Sequence, residues 1–271
     1  ASCLLCAHKI SIKKLHLQQK IPAVYFWDRM QFMKSTRGSG DGIRNICFQN
    51  DDGLVITFDM DGLMVDSEPE WFQSEIEVTR PFGYTWTDQD QVACLGGPLS
   101  RVGAYMRDKC DGAESAEYFT QQLIDTQALK MRGNTPTMPG ALELVRELQA
   151  HGIKTGLVSA SPRIIVDAVL DNLGHELFPF SISSNDVKNT KPYPDCYLKA
   201  ASMAESNIHN CLVFEDSLTG MNAATSSGAF LIAVPHLVTI EESKRVRVIS
   251  TLEQLNHAKL TQLFADFSSA I

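Results

Sequence analysis

The chain alternates between short, almost wholly apolar runs and longer stretches in which apolar residues recur at helical spacing. Leu54-Val55-Ile56-Thr57-Phe58 is the first such run. Its length and β-branched content, with no polar alternation, predict a strand buried on both faces of a parallel sheet. Similar runs follow at Ile153–Val158, Phe180–Ile182, Cys211–Phe214 and Phe230–Val234. Between most of them lie helical patterns with recognisable ends. Pro139 and Gly152 bracket one, with Leu142, Val145 and Leu148 on its apolar side. Ser161-Pro162 opens a second that closes near Gly174, and Ser217 to Ser227 forms a third, stopped by Gly228. Strands alternating with helices predict an α/β fold built on a doubly wound parallel sheet.

The alternation breaks once. Almost 100 residues separate Phe58 from Ile153, far more than a single crossover needs. Residues 67–136 read as wholly helical, with helices expected over Glu70–Arg80, Leu99–Lys109 and Ser115–Met131. The expected organisation is an α/β core from 54–66 and 137–256, a helical cap inserted at 67–136, and a tail over 257–271. Residues 1–53 stand apart. They hold eight Lys/Arg and four Asp/Glu, with no acid before Asp28. A poorly ordered extension is expected there, with Met33 a candidate initiator. An organelle transit peptide is the alternative, disfavoured because the stretch is Lys-rich rather than Arg- and Ser-rich.

Charge narrows the partners. The formal net charge of −8 argues against general nucleic-acid binding, which needs clustered Lys and Arg. It leaves a phosphate ester open, because one local cation and a metal can dominate a pocket. The longest apolar stretch, Phe230 to Val238, contains Pro235 and His236 and is far short of the ~20 residues a membrane helix requires. The seven cysteines form no regular framework, so free thiols and a cytoplasmic, reducing location are expected. Cys3-Leu4-Leu5-Cys6 is a lone CxxC without a second ligand pair. A monomer or weak dimer is expected.

The chemistry concentrates at strand ends. Phe58-Asp59-Met60-Asp61-Gly62 directly follows the first strand. Ligands in such folds bind outside the carboxyl ends of the strands, and two carboxylates at i and i+2 there are costly unless they bind a cation or do chemistry. An Asp-rich turn ending in Gly is the bland alternative. Val158-Ser159-Ala160-Ser161 then leads into a helix N-terminus at Pro162, where hydroxyls and free N–H groups suit a phosphate. Lys191-Pro192-Tyr193-Pro194-Asp195 precedes another helix, and Lys191 could neutralise a nucleophile and phosphoryl oxygens. Finally the strand Cys211–Phe214 runs into Glu215-Asp216-Ser217, two acids suited to a hard cation. Singly, the Ser is an ordinary helix cap and the Lys an ordinary surface residue.

Taken in order, these four motifs resemble those of the haloacid dehalogenase superfamily, over about Leu54 to Gln254. Asp66-Ser67-Glu68-Pro69 and the insertion after it are similar to the subgroup with a helical cap, which includes sugar-phosphate phosphatases and β-phosphoglucomutases. The resemblance implies that Asp59 attacks phosphorus and becomes an aspartyl-phosphate, and that Asp61 protonates the leaving alcohol and then deprotonates water. It implies Mg²⁺ held by the Asp59 carboxylate, the Asp61 backbone carbonyl and Asp216, with Glu215 a further ligand or an acceptor behind them. Ser159 and Lys191 would bind phosphoryl oxygens. The second Asp also sets the chain apart from relatives that cleave carbon–halogen or carbon–phosphorus bonds, which lack it.

For the leaving group, the resemblance points to the loop Leu95-Gly96-Gly97-Pro98-Leu99-Ser100-Arg101, where Gly96 and Gly97 permit close approach and Arg101 could meet a second anionic or polyol group. A solvated helix residue is the plainer reading of Arg101. Glu68 and Ser161 are further substrate-side candidates. Trp71 is expected to pack at the cap–core junction, and Met106, Phe119 and Leu123 inside the cap. The leading expectation is a Mg²⁺-dependent monoesterase for a small phosphorylated metabolite, most simply a sugar phosphate. A hexose-phosphate mutase is the runner-up, although β-phosphoglucomutases carry His where this chain has Trp71. A non-catalytic phosphometabolite-binding protein is the alternative of another class. A protein phosphatase is disfavoured because a sizeable cap hinders access to Asp59.

Overall fold

A computed structural model describes residues 53–235 and 240–269. The basic extension, the Cys3–Cys6 pair and Met33 lie outside the described residues. Six parallel strands form the sheet: β1 (Val55–Phe58), β2 (Lys154–Val158), β3 (Phe180–Ile182), β4 (Cys211–Glu215), β5 (Phe230–Ala233) and β6 (Val246–Val248), in the order β3-β2-β1-β4-β5-β6. β1 is central, with Phe58 in register with Leu157 of β2 on one side and Phe214 of β4 on the other. The order reverses about β1, so the crevice beyond its carboxyl end is where ligands bind in such sheets.

Alternate residues feed two apolar clusters. Ile56, Phe58, Leu212 and Phe214 belong to one, while Val55 and Val213 belong to the other. Both faces are therefore covered, which is why the runs read as continuously apolar. Phe58 stacks on Phe214 with centroids 4.8 Å apart. Gly156 in β2 is set by packing, since a Cβ there would lie 2.2 Å from the Phe180 ring.

The helices are α1 (Glu68–Thr79), α2 (Asp88–Cys94), α3 (Leu99–Lys109), α4 (Ala116–Gly133), α5 (Ala141–Ala150), α6 (Arg163–Leu173), α7 (Asp195–Met203), α8 (Leu218–Ser227) and α9 (His257–Ser269). The first four are the insertion. They bury their own core, including Trp86, Val102, Met106, Phe119 and Leu123. The chain leaves and rejoins the core at one place. Val65 bridges Thr137 antiparallel, the Asp66 amide donates to Pro136 O at 2.9 Å, and the Met138 amide donates to Met64 O at 3.0 Å.

Three elements were not expected. α2 is short but begins with a capping box, in which Thr87 and Asp90 satisfy each other's amides. β6 is an edge strand; Arg245 just before it and Arg247 within it lie over the Phe230 and Phe267 rings, each at 4.9 Å. The segment read as a tail from 257 is instead α9, which buries Leu260 and Phe267 in the main core. Among the described residues, Cys94, Cys110, Cys196 and Cys211 are free and buried. No described helix is long and apolar enough to cross a membrane.

Candidate active site

Asp59 is the first residue beyond β1. Its amide donates to Phe214 O at 3.0 Å, which continues the sheet pairing and fixes the backbone below the crevice. Its side chain is buried and receives Lys191 Nζ on Oδ1 at 2.5 Å. Lys191 comes from the loop before α7, and its ammonium also meets Glu215 Oε1 at 2.7 Å and donates to Val158 O at 2.9 Å. Burial works against its charge, but Asp59 and then Glu215 outweigh that and hold its pKa above the ordinary lysine value. Glu215 is fully buried and accepts from the Tyr197 hydroxyl as well. Gly220 leaves room for it, since a Cβ there would sit 2.0 Å from the carboxylate.

Asp59, Glu215 and Asp216 offer oxygens that all lie within 4.8 Å of one another. Burial first, and the Glu215 charge second, push Asp59 well above the usual carboxylate range and Asp216 up to about 7. Asp216 Oδ1 is buried without a hydrogen-bond partner among the described residues. One ammonium cannot neutralise this group. Gly62 crosses directly over it at φ +76°, and a Cβ there would lie 2.3 Å from Asp216 Oδ2. The arrangement has all-oxygen donors, excess negative charge and one unused buried oxygen. That fits a hard dication such as Mg²⁺.

Asp61 points elsewhere. Its Oδ1 accepts from Ser67 Oγ at 2.6 Å and Trp71 Nε1 at 3.3 Å, and its Oδ2 from Ser161 Oγ at 2.9 Å and Ser159 Oγ at 3.3 Å. Ser159 in turn accepts from the Ser161 amide at 2.9 Å. The structure thus gathers Asp59, Asp61, Ser159, Ser161, Lys191, Glu215 and Asp216 at the carboxyl ends of β1, β2 and β4.

The insertion residues are placed less centrally. Glu68 is exposed and accepts from Gln91 Nε2 at 3.3 Å. Gly96 has φ +67° with open space beside it, while a Cβ on Gly97 would strike the Arg101 guanidinium. That guanidinium donates to Ala93 O at 2.7 Å, Cys94 O at 2.9 Å and Leu95 O at 3.2 Å. Arg101 therefore caps the C-terminus of α2, a role neither sequence reading anticipated. Three site contacts were also missed. Tyr197 carries no signal of its own. Ser67 and Trp71 are one turn apart at the start of α1, and that spacing could have placed both on the face toward Asp61.

Comparison with known proteins follows this geometry. The family described as haloacid dehalogenase-like hydrolase matches residues 56–234. Hexitol phosphatase B of Escherichia coli (strain K12) is 30% identical over 186 residues, which are 67% of this chain and 83% of that protein. The Arabidopsis thaliana protein SUPPRESSOR OF QUENCHING 1, chloroplastic, is 33% identical over 187 residues; the match covers 66% of this chain but spans only 18% of that relative. Among solved structures, β-phosphoglucomutase from Clostridium difficile superposes with a TM-score of 0.67 at 21% identity, covering 79% of this chain and 98% of its own. That last likeness speaks to the fold. The family match runs from within β1 to just past β5 and takes in every residue of the cluster described above, so the chain belongs to the haloacid dehalogenase-like hydrolases.

Proposed function

We propose that the chain is a Mg²⁺-dependent phosphatase that hydrolyses a small phosphate monoester of a sugar or sugar alcohol through an aspartyl-phosphate. The observation that carries this is the division of labour between two neighbouring carboxylates. Asp59 is paired to a buried ammonium and crowded by Glu215 and Asp216, while Asp61 is held apart by four hydroxyl or indole donors. A nucleophile needs the first setting and an acid–base group the second. The name of the hexitol phosphatase relative supports the substrate class.

Mg²⁺ would be held by the Asp59 carboxylate, the Asp61 backbone carbonyl and Asp216, with Glu215 behind them. Bound there, it would neutralise phosphoryl and carboxylate charge. Asp59 attacks phosphorus. Asp61 gives a proton to the departing alcohol oxygen, then takes one from the water that attacks the acyl phosphate. Lys191 opposes the rise that burial and Glu215 impose on the Asp59 pKa and faces the incoming phosphoryl oxygens. The hydroxyls of Ser159 and Ser161 are available to those oxygens whenever Asp61 turns away. Water exclusion by the helical insertion would strengthen each of these interactions.

The test is phosphate release from a panel of sugar and sugar-alcohol phosphates with Mg²⁺, beside Asp59→Asn and an EDTA control. Release lost in both controls is expected. Absence of release from every ester would overturn the reading, and an isomerised ester in place of free phosphate would move it to a phosphomutase. A cytoplasmic location is the reading we keep. The chloroplastic relative makes organelle delivery by residues 1–53 the second reading, and fluorescent fusions with and without that segment separate the two.

A further inference from the structure

Glu215 ends β4 and Asp216 follows it, yet the protein treats the two acids differently. Asp216 Oδ1 has no hydrogen-bond partner among the described residues. Glu215 has no exposed surface, and protein donors serve both its oxygens. Its Oε1 meets the Lys191 ammonium at 2.7 Å and accepts from the Tyr197 hydroxyl, while its Oε2 accepts from Ser217 Oγ at 3.3 Å. Both donors to Oε1 belong to one segment, with Lys191 in the loop before α7 and Tyr197 in the first turn of that helix. The Tyr197 ring also lies against the ammonium, with Nζ 5.4 Å from its centroid. That ring is fixed in turn, buried in the apolar cluster that holds Val158, Cys211 and Val213. The carboxylate fills the space that a side chain on Gly220 would need, so α8 closes it in as well. Glu215 is thus clamped to the α7 segment, although one of its oxygens lies within 4.8 Å of oxygens from Asp59 and Asp216.

We propose that Tyr197 is a positioning residue: its hydroxyl holds Glu215 on Lys191 and so makes the acidic group select Mg²⁺ over Ca²⁺. This rests on the reading of Asp59, Glu215 and Asp216 as the surroundings of a dication. Mg²⁺ demands a tight octahedral shell, keeps several waters and is held by one or two carboxylates, whereas Ca²⁺ takes about six to eight oxygens, often both from one carboxylate. With Glu215 held back, Asp59 and Asp216 are the carboxylates left for the cation, which suits the smaller ion. Without the phenol, a lone pair on Oε1 is released, and a third carboxylate within reach suits the larger one. The same hydroxyl sets how Lys191 is shared. A Glu215 oxygen that loses one donor leans harder on the other, which draws the ammonium away from Asp59. The phenol acts only through Glu215 and Lys191.

The experiment titrates the metal-free full chain with magnesium chloride and, separately, with calcium chloride. Each dissociation constant is read from the rise in melting temperature, with no substrate present. The proteins are wild type, Tyr197→Phe, Ser217→Ala, Glu215→Gln and the double variant Tyr197→Phe/Glu215→Gln. Phe keeps the ring packing and removes only the donor. Wild type is expected to prefer Mg²⁺. Tyr197→Phe should shift the ratio of the two constants toward Ca²⁺ by about tenfold, the scale of one hydrogen bond to a charged group. Ser217→Ala removes the longer bond to Oε2; it should shift the ratio the same way by about threefold, and it carries the test if Tyr197→Phe does not fold. In the Glu215→Gln background, Tyr197→Phe should move the ratio by less than about twofold, because the carboxylate it restrains is gone. At saturating Mg²⁺, kcat of Tyr197→Phe for the best ester of the panel should fall about fivefold while KM stays unchanged. A wild type that prefers Ca²⁺, an unchanged ratio or kcat in the folded variant, or an equal shift with and without the Glu215 carboxylate would overturn the proposal. A wild type that binds neither cation, or releases phosphate from no ester, would overturn the reading beneath it instead.

Discussion

Two buried carboxylate clusters in this protein have opposite characters. Asp90, in the insertion, is nearly fully buried and accepts from Tyr84 OH at 2.9 and 3.0 Å, Tyr105 OH at 2.8 Å, and the Thr87 hydroxyl and amide at 2.7 and 2.9 Å. Lys109 Nζ stands 3.2 Å away, over the Tyr84 and Tyr105 rings. Burial would raise its pKa, but the hydrogen bonds from Thr87, Tyr105 and Tyr84 outweigh that and hold it well below the usual range. Asp59, Glu215 and Asp216 have one shared lysine, a raised Asp59, an Asp216 at about 7 and an oxygen with no hydrogen-bond partner among the described residues. A carboxylate whose donors match its lone pairs is finished structure. A group left with surplus charge is prepared for something that is not protein.

This contrast can be broken most decisively at Asp59, the proposed nucleophile. Asp59→Asn should lower turnover of the best ester by about 10⁴-fold or more and leave far-UV circular dichroism intact. Asp90→Asn should do the reverse. It should cost about 2–3 kcal/mol in urea unfolding, the worth of hydrogen bonds to a charged group, while kcat/KM per folded molecule changes less than about threefold. If Asp90→Asn abolished turnover and left stability alone, the comparison would be wrong.

Metal should sharpen it next. Mg²⁺ at about 100 times its dissociation constant is expected to stabilise the wild type by about 2.7 kcal/mol, seen as a rise in melting temperature. Asp216→Asn should remove that rise, and because it relieves repulsion it should melt slightly higher than wild type when metal-free. Equal Mg²⁺ responses in the two proteins would exclude Asp216 as a ligand.

Glu75 offers a milder case. It is buried in the insertion with one oxygen lacking a hydrogen-bond partner among the described residues, and burial pushes its pKa up to about 8. The folded form binds the proton more tightly than the unfolded form, so its contribution is fully present below about pH 4.5 and is lost as pH rises through about 8. Stability measured across that window should fall less steeply in Glu75→Gln than in wild type, and an unchanged slope would show that Glu75 is not the group responsible. The smallest effect is expected at Arg101. Its removal to Ala should cost about 1 kcal/mol as a lost helix cap and alter kcat/KM less than about threefold. A large rise in KM would instead mark it as a substrate contact.

The sheet was legible because both its faces are covered. Val55 to Phe58 and Phe230 to Ala233 are buried throughout, and such runs have no competing interpretation when turn and cap residues bracket them. Asp59, Asp61, Lys191 and the Glu215-Asp216 pair were legible because acids and a lysine at strand ends have few structural uses. β6 was hidden because Arg245 and Arg247 lay their guanidinium groups over aromatic rings, so its short run reads as a polar loop. α9 was within reach, since Leu260, Phe264 and Phe267 keep helical spacing. Tyr197 was not, because it acquires its role from Glu215, a partner distant along the chain. Arg101 shows the same limit in reverse, since a cation after a glycine-containing loop gives no hint that three carbonyls at the end of the preceding helix and just past it already occupy it.

The join at Val65 and Thr137 has a consequence for how such proteins diversify. A segment that departs and comes back through one antiparallel bridge puts no demand on strand spacing, whatever lies between. Its length and content can drift, or be exchanged wholesale, without shifting the register of β1 against β2 and β4. The carboxylate cluster and the helical insertion are thus separately heritable, with Ser67, Trp71 and the face of α4 that sets Ala128 and Met131 in the main core the places where a replacement would have to fit.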